Sequence, residues 1–188
     1  MAVLPGEMRN LAPWPLGSNA RRGHMRAMDP MHVFDRAAVR RHRDRAATTV
    51  AAVGDLLADC AARLLDRLDD TSHRFTRALD VGGRGIVAPL LRARGIQTVA
   101  CDLSAAMAAR SGGACLAADE ERLPFAPASF DLVVASLSLH WVNDLPGALI
   151  QLRQALAPDG LLLASLPALG TLAELRTALT EAESDLTG

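Results

Sequence analysis

From residue 77 onward, short apolar runs alternate with longer stretches in which apolar residues recur every three or four positions. Short runs bounded by turn residues read as buried strands, and the longer recurrence reads as helix with one face inward. The pattern predicts strands at 77–81, 97–101, 114–117, 130–136 and 160–166, and helices at 86–94, 104–110, 145–157 and 171–184. Pro158, Asp159 and Gly160 predict a turn between the helix at 145–157 and the last strand. Strand and helix in alternation imply a parallel sheet with right-handed crossovers. The first strand should be central, with the chain winding outward to both sides and a ligand site at the C-terminal ends of the strands. Leu161, Leu162 and Leu163 fall on an edge strand, and an apolar edge invites pairing with another chain.

Upstream, residues 35–68 read as helical. Val53, Leu56, Leu57, Cys60, Leu64, Leu65 and Leu68 recur at helical spacing, a stripe expected to pack on the sheet edge or to cover a ligand. Arg36, Arg40, Arg41, Arg43 and Arg45 crowd the first part. They read either as a solvated helix face or as a docking surface for an acidic partner or anionic lipid headgroups. Residues 1–30 differ in kind, with three prolines ahead of Pro30, four arginines against two acids and no helical periodicity. They read as a disordered tail, as a transit peptide, or as the product of a start assigned upstream of Met31. The chain thus divides into a flexible extension or mis-assigned start at 1–30, a helical segment at 31–76 and an α/β domain at 77–188.

The 188 residues are half hydrophobic and 22% charged, enough for a packed core. A net charge of -1 argues against a nucleic-acid partner. All 20 basic residues are arginine and tyrosine is absent, which reads as compositional bias of the genome. Cys60, Cys101 and Cys115 lack C-x-x-C spacing and read as small core residues in a reducing compartment. No apolar run reaches the roughly 18 residues of a membrane helix, so no transmembrane segment is expected.

The candidate chemistry sits where the predicted strands end. After the first strand come Asp80 and a glycine turn, Gly82, Gly83 and Gly85, followed by a helix start at Ile86. Glycines allow close backbone approach to a ligand, and a helix start offers free N–H groups. Asp102 ends the second strand, 22 residues after Asp80. An acid at that spacing accepts from a ribose diol; the alternative is that Asp102, Leu103 and Ser104 only cap the next helix. Gly83 to Ala88 also fits the dinucleotide pattern G-x-G-x-x-A. A carboxylate at Asp80 would repel a pyrophosphate, whereas it suits the cationic amino group of a methionine moiety. Asp119 and Glu120 can accept from an adenine amino group. The combination favours S-adenosylmethionine over a nicotinamide cofactor.

Four stretches (31–47, the glycine turn, 118–149 and 170–183) together resemble class I S-adenosylmethionine-dependent methyltransferases. More narrowly, SLSLHWVNDLP and TLAELR resemble the respiratory complex I assembly factor five family, a relative of the biotin-synthesis malonyl-carrier-protein methyltransferase. The resemblance implies an α/β, Rossmann-like, doubly wound and mainly parallel sheet. It implies that Asp80, Gly82, Gly83 and Gly85 serve the methionine side, Asp102 and Leu103 the ribose, and Asp119 and Glu120 the adenine edge. Ser136 would lie beside the cofactor and, with His140 and Trp141, face the substrate. The family's mitochondrial member is credited with hydroxylating an arginine of a complex I subunit. A protein substrate, possible subunit partners in NADH:quinone oxidoreductase, peripheral membrane contact, and a mitochondrial matrix or bacterial cytoplasmic location follow as expectations. The glycine turn is one position shorter than the family's, and the family continues past the position of Gly188 with the last strands of the sheet.

For catalysis, His140 is the candidate base at the mouth after the fourth strand; the alternative is a histidine packed beside Trp141. Asn143 and Asp144 read as a helix cap. His24, His32, His42 and His73 are scattered, and no metal site is expected. Three functions remain open: an S-adenosylmethionine-dependent enzyme acting on a protein side chain, a non-catalytic assembly factor with the same fold, and a carboxyl methyltransferase acting on a carrier protein or small molecule.

Overall fold

The computed structural model describes residues 32–187, and the expectations for residues 1–30 and for Met31 lie outside them. Five strands, β1 (Arg77–Val81), β2 (Gln97–Asp102), β3 (Cys115–Ala117), β4 (Phe130–Ser136) and β5 (Leu156–Ser165), form one sheet in the order β3-β2-β1-β4-β5. Every pairing is parallel, and β1 is central. This is the doubly wound, Rossmann-like arrangement expected from the alternation of elements.

The period of two along each strand feeds two cores. Leu79 and Val81 of β1 and Val133 and Ala135 of β4 enter one, with Leu139 and Leu152. Ala78 of β1 and Leu132 and Val134 of β4 enter the other, with Ala61, Leu65 and Leu91. Burial on both faces explains why these strands read as continuous apolar runs.

Between the strands run α3 (Val87–Ala93), α4 (Ala105–Ala109) and α5 (Leu145–Ala155); α6 (Ala173–Thr187) follows β5. Upstream, the predicted helical stretch divides. Asp35 caps α1 (Arg36–Ala46) by accepting from the N–H groups of Ala37 and Ala38, and α2 (Gly54–Leu65) is separate, flanked by short 3-10 turns. Only part of the α2 stripe is inward. Ala61, Leu65 and Leu68 are buried, spaced four and three apart, which turns Val53 and Leu56 outward to 51% and 63% exposure. α2 lies across the face of β4 and β5 instead of along the sheet edge.

The last strand departs from its expected bounds. Leu156 follows α5 directly and pairs with Phe130, while Leu161 pairs with Leu132. The residues between, including Asp159 at φ 60°, form an irregular bulge inside β5. Burying Leu156 against Phe130 starts the strand before the Pro-Asp-Gly turn signal. β5 is an edge among the described strands. Leu172, just ahead of α6, and Leu175 and Leu179 on it are exposed. No described helix is long and apolar enough to cross a membrane.

Candidate cofactor site

The C-terminal ends of β1 and β2 and the segments after β3 and β4 meet above the sheet. Between β1 and α3 the chain turns through Gly82 at φ 77° and Gly85 at φ 82°, left-handed values that favour glycine. A Cβ on Gly82 would strike the Ser138 side chain, and one on Gly85 would lie 2.7 Å from the Arg110 carbonyl oxygen. The glycines therefore allow neighbouring segments to close on the turn. Gly83 packs toward Ser111 and Ala100. Arg84 donates to the Leu137 carbonyl at 2.5 Å, tying the turn to the end of β4.

Asp80 is buried under this turn and accepts from the Ala88 N–H of α3 at 3.1 Å. Burial lifts its carboxyl to about 7, against the pull of that hydrogen bond and of Arg84 and Arg92. Leu57, Asp80, Gly82, Arg84 and Ser136 line a cavity of about 10 Å³, room for about one water.

Asp102 ends β2 fully buried. Its Oδ1 accepts from the Ser104 N–H at 2.7 Å, and Ser104 itself caps α4 by accepting from Met107. Its Oδ2 accepts from Arg43 of α1 at 3.0 Å. Burial raises this carboxyl to about 6, although Arg43 opposes the shift. Leu103 is half-buried beside it. After β3, the Glu120 carboxylate accepts from Arg43 at 2.6 Å and from Arg36, and Asp119 accepts from Arg36 at 2.7 Å. Arg36 also donates to the Trp141 carbonyl at 2.8 Å. Burial pulls the Arg36 guanidinium down, but Asp119 and Glu120 hold it above its ordinary value.

After β4, Leu139–Trp141 forms a 3-10 turn. His140 packs beside Trp141 at 5.2 Å between ring centroids, and its buried Nδ1 has no partner. Burial, then Arg84 and Arg43, lower its pKa, so the ring is mainly neutral at pH 7. Asp144 caps α5 by accepting from Gly147 at 2.8 Å. Asn143 instead accepts from the Phe34 N–H and donates to its carbonyl, at 2.7 and 3.0 Å.

The structure thus gathers Asp80, Gly82, Gly83, Gly85, Asp102, Leu103, Asp119, Glu120, Ser136 and His140 around one mouth. Sequence reasoning missed Arg36, Arg43, Arg84 and Ser138. The available signal for the first two was their spacing of seven, which puts both on one face of α1. Ser138 Oγ is buried against the glycine turn without a partner.

Residues 79–164 match the methyltransferase-domain family model. The chain is 39% identical over 167 residues to the mitochondrial arginine-hydroxylase NDUFAF5 of Danio rerio, covering 84% of this chain and 52% of that protein. It is 34% identical over 173 residues to the malonyl-[acyl-carrier protein] O-methyltransferase of Methylovorus sp. (strain MP688), covering 83% and 58%. The chain spans about half the length of the curated relatives it matches. Among solved structures, a complex between the Haloferax volcanii Trm112 methyltransferase activator and a methyltransferase aligns with a TM-score of 0.61 at 23% identity, over 68% of this chain and 60% of that one. Residues 79–164 thus carry a methyltransferase domain, on a five-stranded parallel sheet with the Rossmann-like methyltransferase fold.

Proposed function

We propose that the chain binds S-adenosylmethionine at the C-terminal ends of β1, β2 and β3, as part of an enzyme that modifies an arginine side chain of a respiratory complex I subunit during assembly. One observation carries the cofactor reading. The buried side-chain polar atoms without a hydrogen-bond partner among the described residues, Arg36 Nε, Arg43 Nη2, Ser138 Oγ and His140 Nδ1, all lie around this mouth. A buried polar atom left unpaired costs about 1–3 kcal/mol. A ligand with an amino-acid end and a nucleoside end supplies partners for such atoms, next to carboxylates at Asp80, Asp102 and Asp119.

The bound cofactor would supply an electrophilic carbon on a cationic sulfur. Asp80 would face the amino group at the methionine end. Asp102 would receive the ribose, and Asp119, with the segment through Glu120, the adenine edge. A neutral His140 can accept a proton from the substrate. The likeness to arginine-hydroxylase NDUFAF5 supports the arginine and the protein substrate, in a mitochondrial matrix or bacterial cytoplasm. The exposed Arg40, Arg41 and Arg45 of α1 offer a face for an acidic partner or a membrane surface. A second reading, carboxyl methyl transfer on a carrier protein, draws on the likeness to the malonyl-carrier enzyme.

Calorimetric titration with S-adenosylmethionine, S-adenosylhomocysteine and NAD tests the cofactor reading. Micromolar binding of the first two and none of NAD is expected. No binding by a chain shown to be folded overturns it in favour of a non-catalytic assembly factor. Co-purification with acyl carrier protein in place of a quinone-oxidoreductase subunit would move the substrate to the second reading.

A further inference from the structure

We propose that Arg43 of α1 is itself a cofactor-binding residue: one guanidinium nitrogen holds the acidic anchors together, and the other donates to a ribose hydroxyl of the bound nucleoside. This rests on the S-adenosylmethionine reading. Nη1 of Arg43 bridges Asp102 Oδ2 and Glu120 Oε1 at 3.0 and 2.6 Å. Nη2, on the same planar fork, donates to nothing, although Arg43 is only 9% exposed. A guanidinium has five N–H donors in a fixed planar fork and no acceptor. A buried charged donor without an acceptor calls for a partner, and a bound ligand can supply one.

The carboxylate beside it is only partly used. Asp102 accepts one hydrogen bond on each oxygen, from Ser104 and from Arg43, and a carboxylate has about four acceptor positions. A ribose hydroxyl is the group that fits both partners at once, accepting from Nη2 while donating to Asp102. A deoxyribose carbon can do neither. Arg43 is held for this role before any ligand arrives. α1 is tied at one end by the paired Phe34–Asn143 hydrogen bonds and at the other by Arg110, which donates to the Ala47 carbonyl at 2.8 Å. A donor fixed in advance loses little freedom on binding.

The test uses the full chain with S-adenosylhomocysteine as the probe. R43K keeps a cation for Asp102 and Glu120 but has a single nitrogen; it should melt like the wild type and bind about tenfold weaker, the equivalent of one hydrogen bond. In wild-type protein labelled with 15N-arginine, the Arg43 guanidinium signal, identified by its loss in R43K, should shift and exchange more slowly at saturation. A purely structural role for Arg43 would leave that signal unmoved. R43K binding within twofold of wild type, or an unmoved signal, overturns the assignment. If R43K does not fold, an arginine signal lost in R43Q identifies the residue, and failing that, the absence of any arginine response in the wild type overturns the proposal. Wild-type protein that binds no S-adenosylhomocysteine overturns this assignment and the cofactor reading together; binding with Arg43 indifferent overturns this assignment alone.

Discussion

Asp80 and Asp102 were legible in the sequence because a strand end and a separation of 22 residues are local facts. Their partners were not. In a helix with few apolar residues, arginine reads as a solvated face, and nothing local says which arginines turn inward. Asp102→Ala should weaken S-adenosylhomocysteine binding by about 1–3 kcal/mol, through lost charge-assisted hydrogen bonds; calorimetry measures it, and unchanged affinity reduces Asp102 to orienting Ser104. Asp80 should make binding of a cationic amino group pH-dependent. Its carboxyl titrates at about 7 when buried, with Arg84 and Arg92 favouring its charge and Asp102 opposing it. A ligand cation favours the ionised form, so affinity should rise with pH toward about 7 and then level off. Titrations across that range should show the slope, and Asp80→Asn should flatten it.

At the scale of elements, α2 and α1 dock by different physics. α2 docks by apolar burial of Ala61 and Leu65 against β4 and β5. Leu65→Ala should cost about 2–5 kcal/mol, as deletions in packed cores do. Leu56→Ala on the exposed side should stay within about 0.5 kcal/mol, the range of ordinary surface changes. Chemical denaturation of both variants checks the orientation of the helix. The helical period announced α2, but contact with the sheet chose which stripe positions are buried, and Val53 and Leu56 stayed exposed. α1 docks instead through Arg36 and Arg43, on carboxylates 59 to 84 residues away along the chain. No hydrophobic pattern encodes such a contact. The start of β5 was misjudged for a related reason, since pairing of Leu156 with Phe130 outweighed a local turn signal.

For the whole molecule, the buried carboxyls tie stability to pH. Asp80 and Asp102 titrate at about 7 and about 6 in the folded chain, against 3.8 for an ordinary aspartate. Between those values the folded state holds more protons than the unfolded one, so their contribution to stability falls as pH rises from about 4 and stops falling above about 7. Thermal melts at pH 5 and pH 8 should show Asp80→Asn gaining on the wild type toward the higher pH, by an amount on the order of a few kcal/mol. A difference independent of pH would mean that Asp80 keeps an ordinary pKa.

The sequence by itself determined the strands, the helices between them, their α/β order and the acidic residues at three strand ends, because periodicity, glycine turns and strand termini are set by neighbours in the chain. Only the tertiary structure decided that Arg36 and Arg43 meet those acids, that Ser138 closes on the glycine turn and that Val53 and Leu56 of the apolar stripe face solvent. Those outcomes depend on which surfaces the folded sheet brings together, and on which charges can be removed from water only in one another's company.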